Sequence, residues 1–235
     1  MNEFQHEENG LFYSTGCLPR ETKVGERFPL WTPEVADCPI IPRTHWLQQP
    51  SLEWAEYEDI DQNGDPACCL ASLGNAGEFH LSISGRQKVS LDWHAAWMAL
   101  SGGRGGVALD SALAYVLDKG FPIKGSTERL FAHEVWDCGG SIETLVSGIQ
   151  MGCRGIYGRL IGRGGHAEFP AYTKLDGSKA IFHVRGTWGR EYGTNGWYPV
   201  TESEIKSGLP IFGAFLVREW VIRKADTEDL PDAKG

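Results

Sequence analysis

Gln62-Asn63-Gly64-Asp65-Pro66-Ala67-Cys68-Cys69, answered far along the chain by Gly164-Gly165-His166-Ala167, is the stretch that decides how this sequence is read. Asp65 is a good N-cap and Pro66 suits the first helical position, so a helix is expected to open there with Cys68 in its first turn. A thiolate at that place is favoured by the helix dipole and by unpaired backbone N–H groups, which lower the cysteine pKa. Gln62 stands six residues earlier, with a side-chain amide suited to an oxyanion. His166, near the start of an expected strand, has the chemistry of a base for that thiol. Cys69 is a second thiol competing for the nucleophile's role. Gly74 and Gly77, inside the same helix, cost helical stability, and each is expected to permit a close crossing.

Outward from this stretch the periodicity divides the chain. Helices are expected over 91–100 and 108–119, the latter with Leu109, Ala112, Leu113 and Val116 on one face and Gly120 as its stop. Ser141 can cap another, whose Ile142, Leu145, Val146 and Ile149 keep helical spacing. Strands follow over 155–161, 166–174, 179–184 and 211–217, with Asp176-Gly177 marking a hairpin. Helices first and antiparallel strands afterwards predict an α+β protein in two lobes, with Cys68 on the helical lobe and His166 on the sheet lobe. A cleft between the lobes is where such a pair would meet.

Residues 1–41 carry little periodicity and are punctuated by Pro19, Pro29, Pro33 and Pro39. They read as an extended arm draped over a domain at 42–222, whose helical lobe covers about 60–125 and β lobe about 140–220; 223–235 is a polar tail. A partly disordered leader is the other reading of the arm. Leu11, Phe12, Tyr13, Phe28, Leu30 and Trp31 argue for the draped form, since a free tail has little use for them.

Composition narrows the function classes. The 235 residues are 41% hydrophobic and 23% charged, as in globular domains, and the net charge of −9 argues against a nucleic-acid surface. No apolar run suffices to span a bilayer, and the acidic N-terminus lacks the apolar core of a secretory signal. Six cysteines do not form a disulfide framework in a chain this long. Cys17, Cys38, Cys138 and Cys153 read as structural thiols. There is neither a C-x-x-C pair nor an H-E-x-x-H helix to suggest zinc.

Taken in order, these pieces resemble the papain family of cysteine peptidases. Gln62, Cys68 and Glu78 fit the family's Gln, Cys and later acidic residue without a gap, and this spacing selects Cys68 over Cys69. Gly103-Arg104-Gly105-Gly106, before the helix with Ala112 and Tyr115, resembles its glycine-rich loop. His166-Ala167 matches its base. Arg185-Gly186-Thr187-Trp188-Gly189 and Tyr192-Gly193-Thr194-Asn195-Gly196-Trp197 resemble the run after that base, and Ile41-Pro42-Arg43-Thr44-His45-Trp46 resembles the mature start. The resemblance covers about residues 40–220.

It implies a two-lobed papain-like fold and hydrolysis of a polypeptide substrate. Cys68 would be the nucleophile, His166 the base and Gln62 the oxyanion donor. Gly105 and Gly106 would bind substrate backbone, with Trp188 beside the histidine loop. No metal or organic cofactor is implied, nor a nucleic-acid or membrane partner.

The departures matter as much. The family's imidazole-orienting Asn falls on Gly186, for which Glu168, on the same strand face as His166, is a candidate substitute. The positions of the family's disulfide are Asp65 and Gly103, as expected of a chain folded in a reducing compartment. The short arm does not match the long family prodomain and is more like disulfide-free bacterial and phage relatives, implying a cytoplasmic or virion location. Two rival readings stand: a papain-fold structural or binding component, such as part of a virion assembled through the arm, and a cell-wall amidase. The Gly105-Gly106 loop argues against the amidase.

Overall fold

The protein is described here by a computed structural model covering residues 5–8, 11–21, 26–33, 39–47, 60–62, 64–84 and 88–224, without the side chains of 5–14. Cys38, Asn63 and the tail beyond Lys224 lie outside the described residues.

Helix α1 (Cys68–Ile83) is buried along nearly its whole length, and apart from Asn75, Glu78 and His80 its residues are apolar or small. Such a helix belongs in an interior. It begins at Cys68, with Ala67 as N-cap, and not at Pro66 as expected from the Asp-Pro pair. The Asp65 N–H donates to Gln62 O at 2.7 Å and the Ala67 N–H to Asp65 O at 2.8 Å, so these residues are spent in a turn before the helix starts. Gly77 is where the expected close crossing occurs: a Cβ there would lie 2.7 Å from Leu130 Cδ2. At Gly74 the nearest atom to a Cβ would be Trp93 Cβ at 3.5 Å, ordinary contact, so that glycine is not demanded by packing.

Helix α2 (Trp93–Ser101) is capped by Asp92, which accepts from the Ala95 N–H, and ends at Gly102 with φ 65°. Helix α3 (Leu109–Asp118) buries Leu109, Ala112, Leu113 and Val116, the face read from the sequence. Helix α4 (Ile142–Gln150) is capped by Ser141, and Ile142, Leu145, Val146 and Ile149 are all buried.

A seven-stranded antiparallel sheet forms the other layer. In chain order its strands are β5 (Phe121–Pro122), β6 (Glu128–Asp137), β7 (Arg154–Ile161), β8 (Gly164–Asp176), β9 (Lys179–Arg185), β10 (Trp197–Thr201) and β11 (Ala214–Lys224). The spatial order is β10-β9-β8-β7-β11-β6-β5. The Asp176-Gly177 turn joins β8 to β9, pairing Asp176 with Lys179. The architecture is α+β, as the element order predicts. Strand β6 has no counterpart in the sequence reading. The strand expected over 211–217 is displaced: Leu209–Phe212 form a short helix, Gly213 turns with φ 84°, and β11 then runs to Lys224.

N-terminal to these elements, Gln5–Glu8 (β1) pairs with Leu11–Ser14 (β2), and Cys17–Leu18 (β3) pairs in parallel with Val107–Ala108 (β4). The stretch before α1 is tied to α4 and to the end of β10. The Ile41 N–H donates to Ser147 Oγ at 2.8 Å, and Arg43 reaches both Glu143 (2.6 Å) and Glu202 (2.9 Å).

The Ser141 cap can be tested alone. Ser141→Ala should lower stability by about 1 kcal/mol, seen as a lower urea midpoint at unchanged slope.

Candidate active site

Helix α1 and strand β8 meet at Ala167, and that junction sets the site. The Ala167 N–H donates to Cys68 Sγ at 3.4 Å, while Ser72 Oγ, one turn along α1, donates to Ala167 O at 2.8 Å. Both backbone groups of one strand residue are thus held by one face of the helix. His166, next on β8, is brought to Cys68, and both are fully buried.

The electrostatics favour a charged thiol. Burial opposes ionisation of Cys68, but the neighbouring Cys69 thiol, the His166 charge and the Ala167 N–H together hold its pKa well below that of an ordinary thiol. Cys69 goes the other way: burial and its neighbours Cys17 and Cys68 push it well up. The Cys69 thiol donates to Val107 O at 3.1 Å. Of the two adjacent thiols, Cys68 alone has the environment of a nucleophile.

Gln62 is buried and its amide orientation is set on both sides. Thr187 Oγ1 donates to Oε1 at 2.7 Å, and Nε2 donates to Asp65 O at 2.9 Å. The backbone joins in, the Gln62 N–H donating to Thr187 O at 3.0 Å. A primary amide has one acceptor oxygen and two N–H groups, and the Thr187 bond takes the oxygen. Thr187 therefore fixes which end of the amide is the donor. Its position inside the Thr187-Trp188-Gly189 run was visible in sequence, but its contact with Gln62 was not.

Trp188 stacks on the imidazole of His166, ring centroids 4.1 Å apart at 27°. Tyr192 packs edge-on against Trp188, and Tyr198 edge-on against Tyr192. Trp188 is therefore in direct contact with the histidine.

Glu168 does not hydrogen-bond the ring. Its Oε1 accepts from Arg159 at 2.8 Å and from the Tyr198 hydroxyl at 3.0 Å, and no hydrogen bond joins it to His166. Burial by itself would lower the Arg159 pKa; the Glu168 charge and hydrogen bond outweigh it and raise it. Among the described residues, neither nitrogen of His166 has a hydrogen-bond partner. At Gly186 a Cβ would lie 2.8 Å from Tyr198 Cε1. The tyrosine ring occupies the space that an orienting side chain would need, and Asn75 Nδ2 holds the Gly186 carbonyl at 3.3 Å.

The glycine-rich loop is filled by the N-terminal segment. The Val107 N–H donates to Gly16 O at 2.8 Å. A Cβ on Gly16 would overlap the Pro66 carbonyl, one on Gly106 would overlap Gly16 O, and one on Gly165 would overlap Cys17 O. Thr15, Gly16 and Cys17 thus pass in van der Waals contact between the turn before Cys68, the glycine loop and the residue before His166. Gly105 turns with φ 70° and its carbonyl accepts from Trp97 Nε1 at 3.3 Å. Cys17, read from sequence as an isolated structural thiol, is buried against this site. Among the described residues no group of three His, Cys, Asp or Glu side chains could hold a metal ion.

Two outcomes follow from this geometry. Ser72→Ala leaves the buried Ala167 carbonyl without its donor and should cost about 1–3 kcal/mol in denaturant unfolding. Alkylation of Cys68, followed by peptide mapping across pH, should persist below the range of an ordinary thiol. It should decline only as pH falls through the lowered pKa, because the thiolate exists above that value; Cys69 should lose reactivity at much higher pH.

No family model matches the chain, and no curated protein matches it by sequence. Solved structures do. Xylellain, a cysteine protease from Xylella fastidiosa, superposes with TM-score 0.68 at 13% identity, over 87% of this chain and 95% of its own. Procathepsin B S9 from Trypanosoma congolense gives 0.63 at 12% identity, over 87% and 86%. The clostridial cysteine protease Cwp84 gives 0.58 at 13% identity, over 73% and 56%. The chain has the fold of the papain-like cysteine proteases.

Proposed function

We propose that this protein is a thiol peptidase hydrolysing polypeptide bonds through Cys68 and His166. The observation that carries the reading is a buried thiol with a depressed pKa at a helix N-terminus beside a buried imidazole, with an oriented amide bonded to Thr187, next to the tryptophan that stacks on that imidazole.

His166 draws the proton from Cys68, and the thiolate attacks the substrate carbonyl. A Gln62 amide N–H and the Cys68 backbone N–H stabilise the oxyanion. His166 then returns its proton to the departing amine, and water hydrolyses the thioester. The face of Trp188 limits how the imidazole can turn, in place of an Asn. Gly105 and Gly106 bind substrate backbone once Thr15–Cys17 leave the loop. The absence of an orienting side chain at position 186 predicts slower turnover than a complete constellation would give, without abolishing it.

A second reading has its own observation. The arm segment packs against Pro66 and Gly165 beside the two reactive groups, and the ring nitrogens lack partners among the described residues, which suits a papain fold kept as a structural or binding component, for example in a virion.

Labelling with an epoxide-type thiol-peptidase inactivator separates the two. Rapid modification of Cys68 that is lost in His166→Ala supports the peptidase; equally slow labelling of all cysteines supports the structural role. Gln62→Ala should reduce kcat/KM by about 10²–10³-fold while leaving the Cys68 labelling rate largely intact. Gly16→Val cannot keep its contact with the Pro66 carbonyl, so it should lift the segment and raise both labelling and turnover.

A further inference from the structure

The N-terminal segment does more than cover the site: it brings a third thiol to it. Cys17 and Val107 are register partners in β3 and β4, and the Cys69 thiol is hydrogen-bonded to that same Val107 at 3.1 Å. On the other side, a Cβ at Gly158 would lie 3.3 Å from Cys17 Sγ. Gly158 is the register partner of Ala167, whose N–H meets Cys68 Sγ. Cys17 therefore lies between Val107, which takes the Cys69 hydrogen bond, and Gly158, the register partner of the residue that meets Cys68. All three cysteines belong to one buried cluster without a disulfide among them.

We propose that Cys17 and Cys69 are an oxidative cross-linking site whose disulfide latches the N-terminal segment across the candidate active site. The reaction needs an oxidant, taken here as a peroxide. Both S–H bonds and the O–O bond break, one S–S bond forms, and the two sulfurs give two electrons to the peroxide. Its oxygens leave as one alcohol (water from hydrogen peroxide) and one water. Cys68, the most readily ionised of the three thiols, reacts with peroxide in competition, so its sulfenic acid is expected beside the cross-link. Without the bond, Thr15–Leu18 are held by a short parallel pairing and by packing, and can be displaced. With it, the segment is tethered within a few ångströms of the glycine loop and cannot leave. The regulatory consequence rests on the peptidase reading, whereas the cross-link itself does not.

The test is treatment of the full chain with a few equivalents of hydrogen peroxide, then tryptic digestion without reductant and mass mapping. The expected product joins the peptide ending at Arg20 to the one running from Thr44 to Arg86, with fragmentation placing the bond on Cys69. It should disappear with dithiothreitol, be absent from Cys17→Ser and Cys69→Ser, and persist in Cys68→Ser. No such product in wild type, or one lost in Cys68→Ser and kept in Cys69→Ser, overturns the proposal. A cross-linked protein with no peptidase activity after reduction would sink the peptidase reading and leave the latch standing.

Discussion

Everything at this site depends on how α1 lies on β8. Ala167 offers its N–H to Cys68 and its carbonyl to Ser72, so a single strand residue fixes both the height and the rotation of the helix. A helix rotated by one residue would turn Cys68 about 100° away from β8 and break both bonds at once. The same docking sets His166, whose place on β8 follows from the β7 pairing of Arg159 with His166 and Gly158 with Ala167. Because the side-chain period of a strand is two, a one-residue slip would send the imidazole to the opposite face.

Around that junction the protein spends polar groups where burial makes them effective. The Cys68 thiol is stabilised in its charged form by close donors and an imidazole, and low local polarity strengthens those interactions along with the penalty for lacking them. One strand position further, Arg159, Glu168 and Tyr198 form a buried network. Breaking such a pair leaves a bare charge in the interior, which accounts for why Glu168 is committed to Arg159 and not to the histidine. The aromatic run from Trp188 through Tyr192 to Tyr198 then fills the space beside the ring and leaves no room for a side chain at Gly186.

Much of the secondary structure was legible, and the misses have local causes. Helices α3 and α4 carry clean apolar spacing and ordinary caps, so their faces could be read. Strand β6 could not: Glu128-Arg129-Leu130-Phe131-Ala132-His133-Glu134-Val135-Trp136-Asp137 does not alternate, because both of its faces are largely covered. At Leu209-Pro210-Ile211-Phe212 an apolar run imitates a strand, yet Pro210 fits the first turn of a helix and Gly213 ends it. The start of α1 was misread because Asp65 and Pro66, good openers of a helix, are drawn into the turn that holds Gln62.

The sequence by itself determined which residues could carry the chemistry. Thiol, imidazole and amide types at their ordered spacing, on a helix start and on a strand, follow from local preferences that act within a few residues. Only the tertiary structure decided which thiol has neighbours that lower its pKa, that Thr187 orients Gln62, that Glu168 serves Arg159, and that Gly16 and Cys17 lie beside the site. Each of these is a contact between residues far apart in the chain. A strand's alternation tells which face a side chain takes, but not which neighbour, helix or arm comes to meet it there.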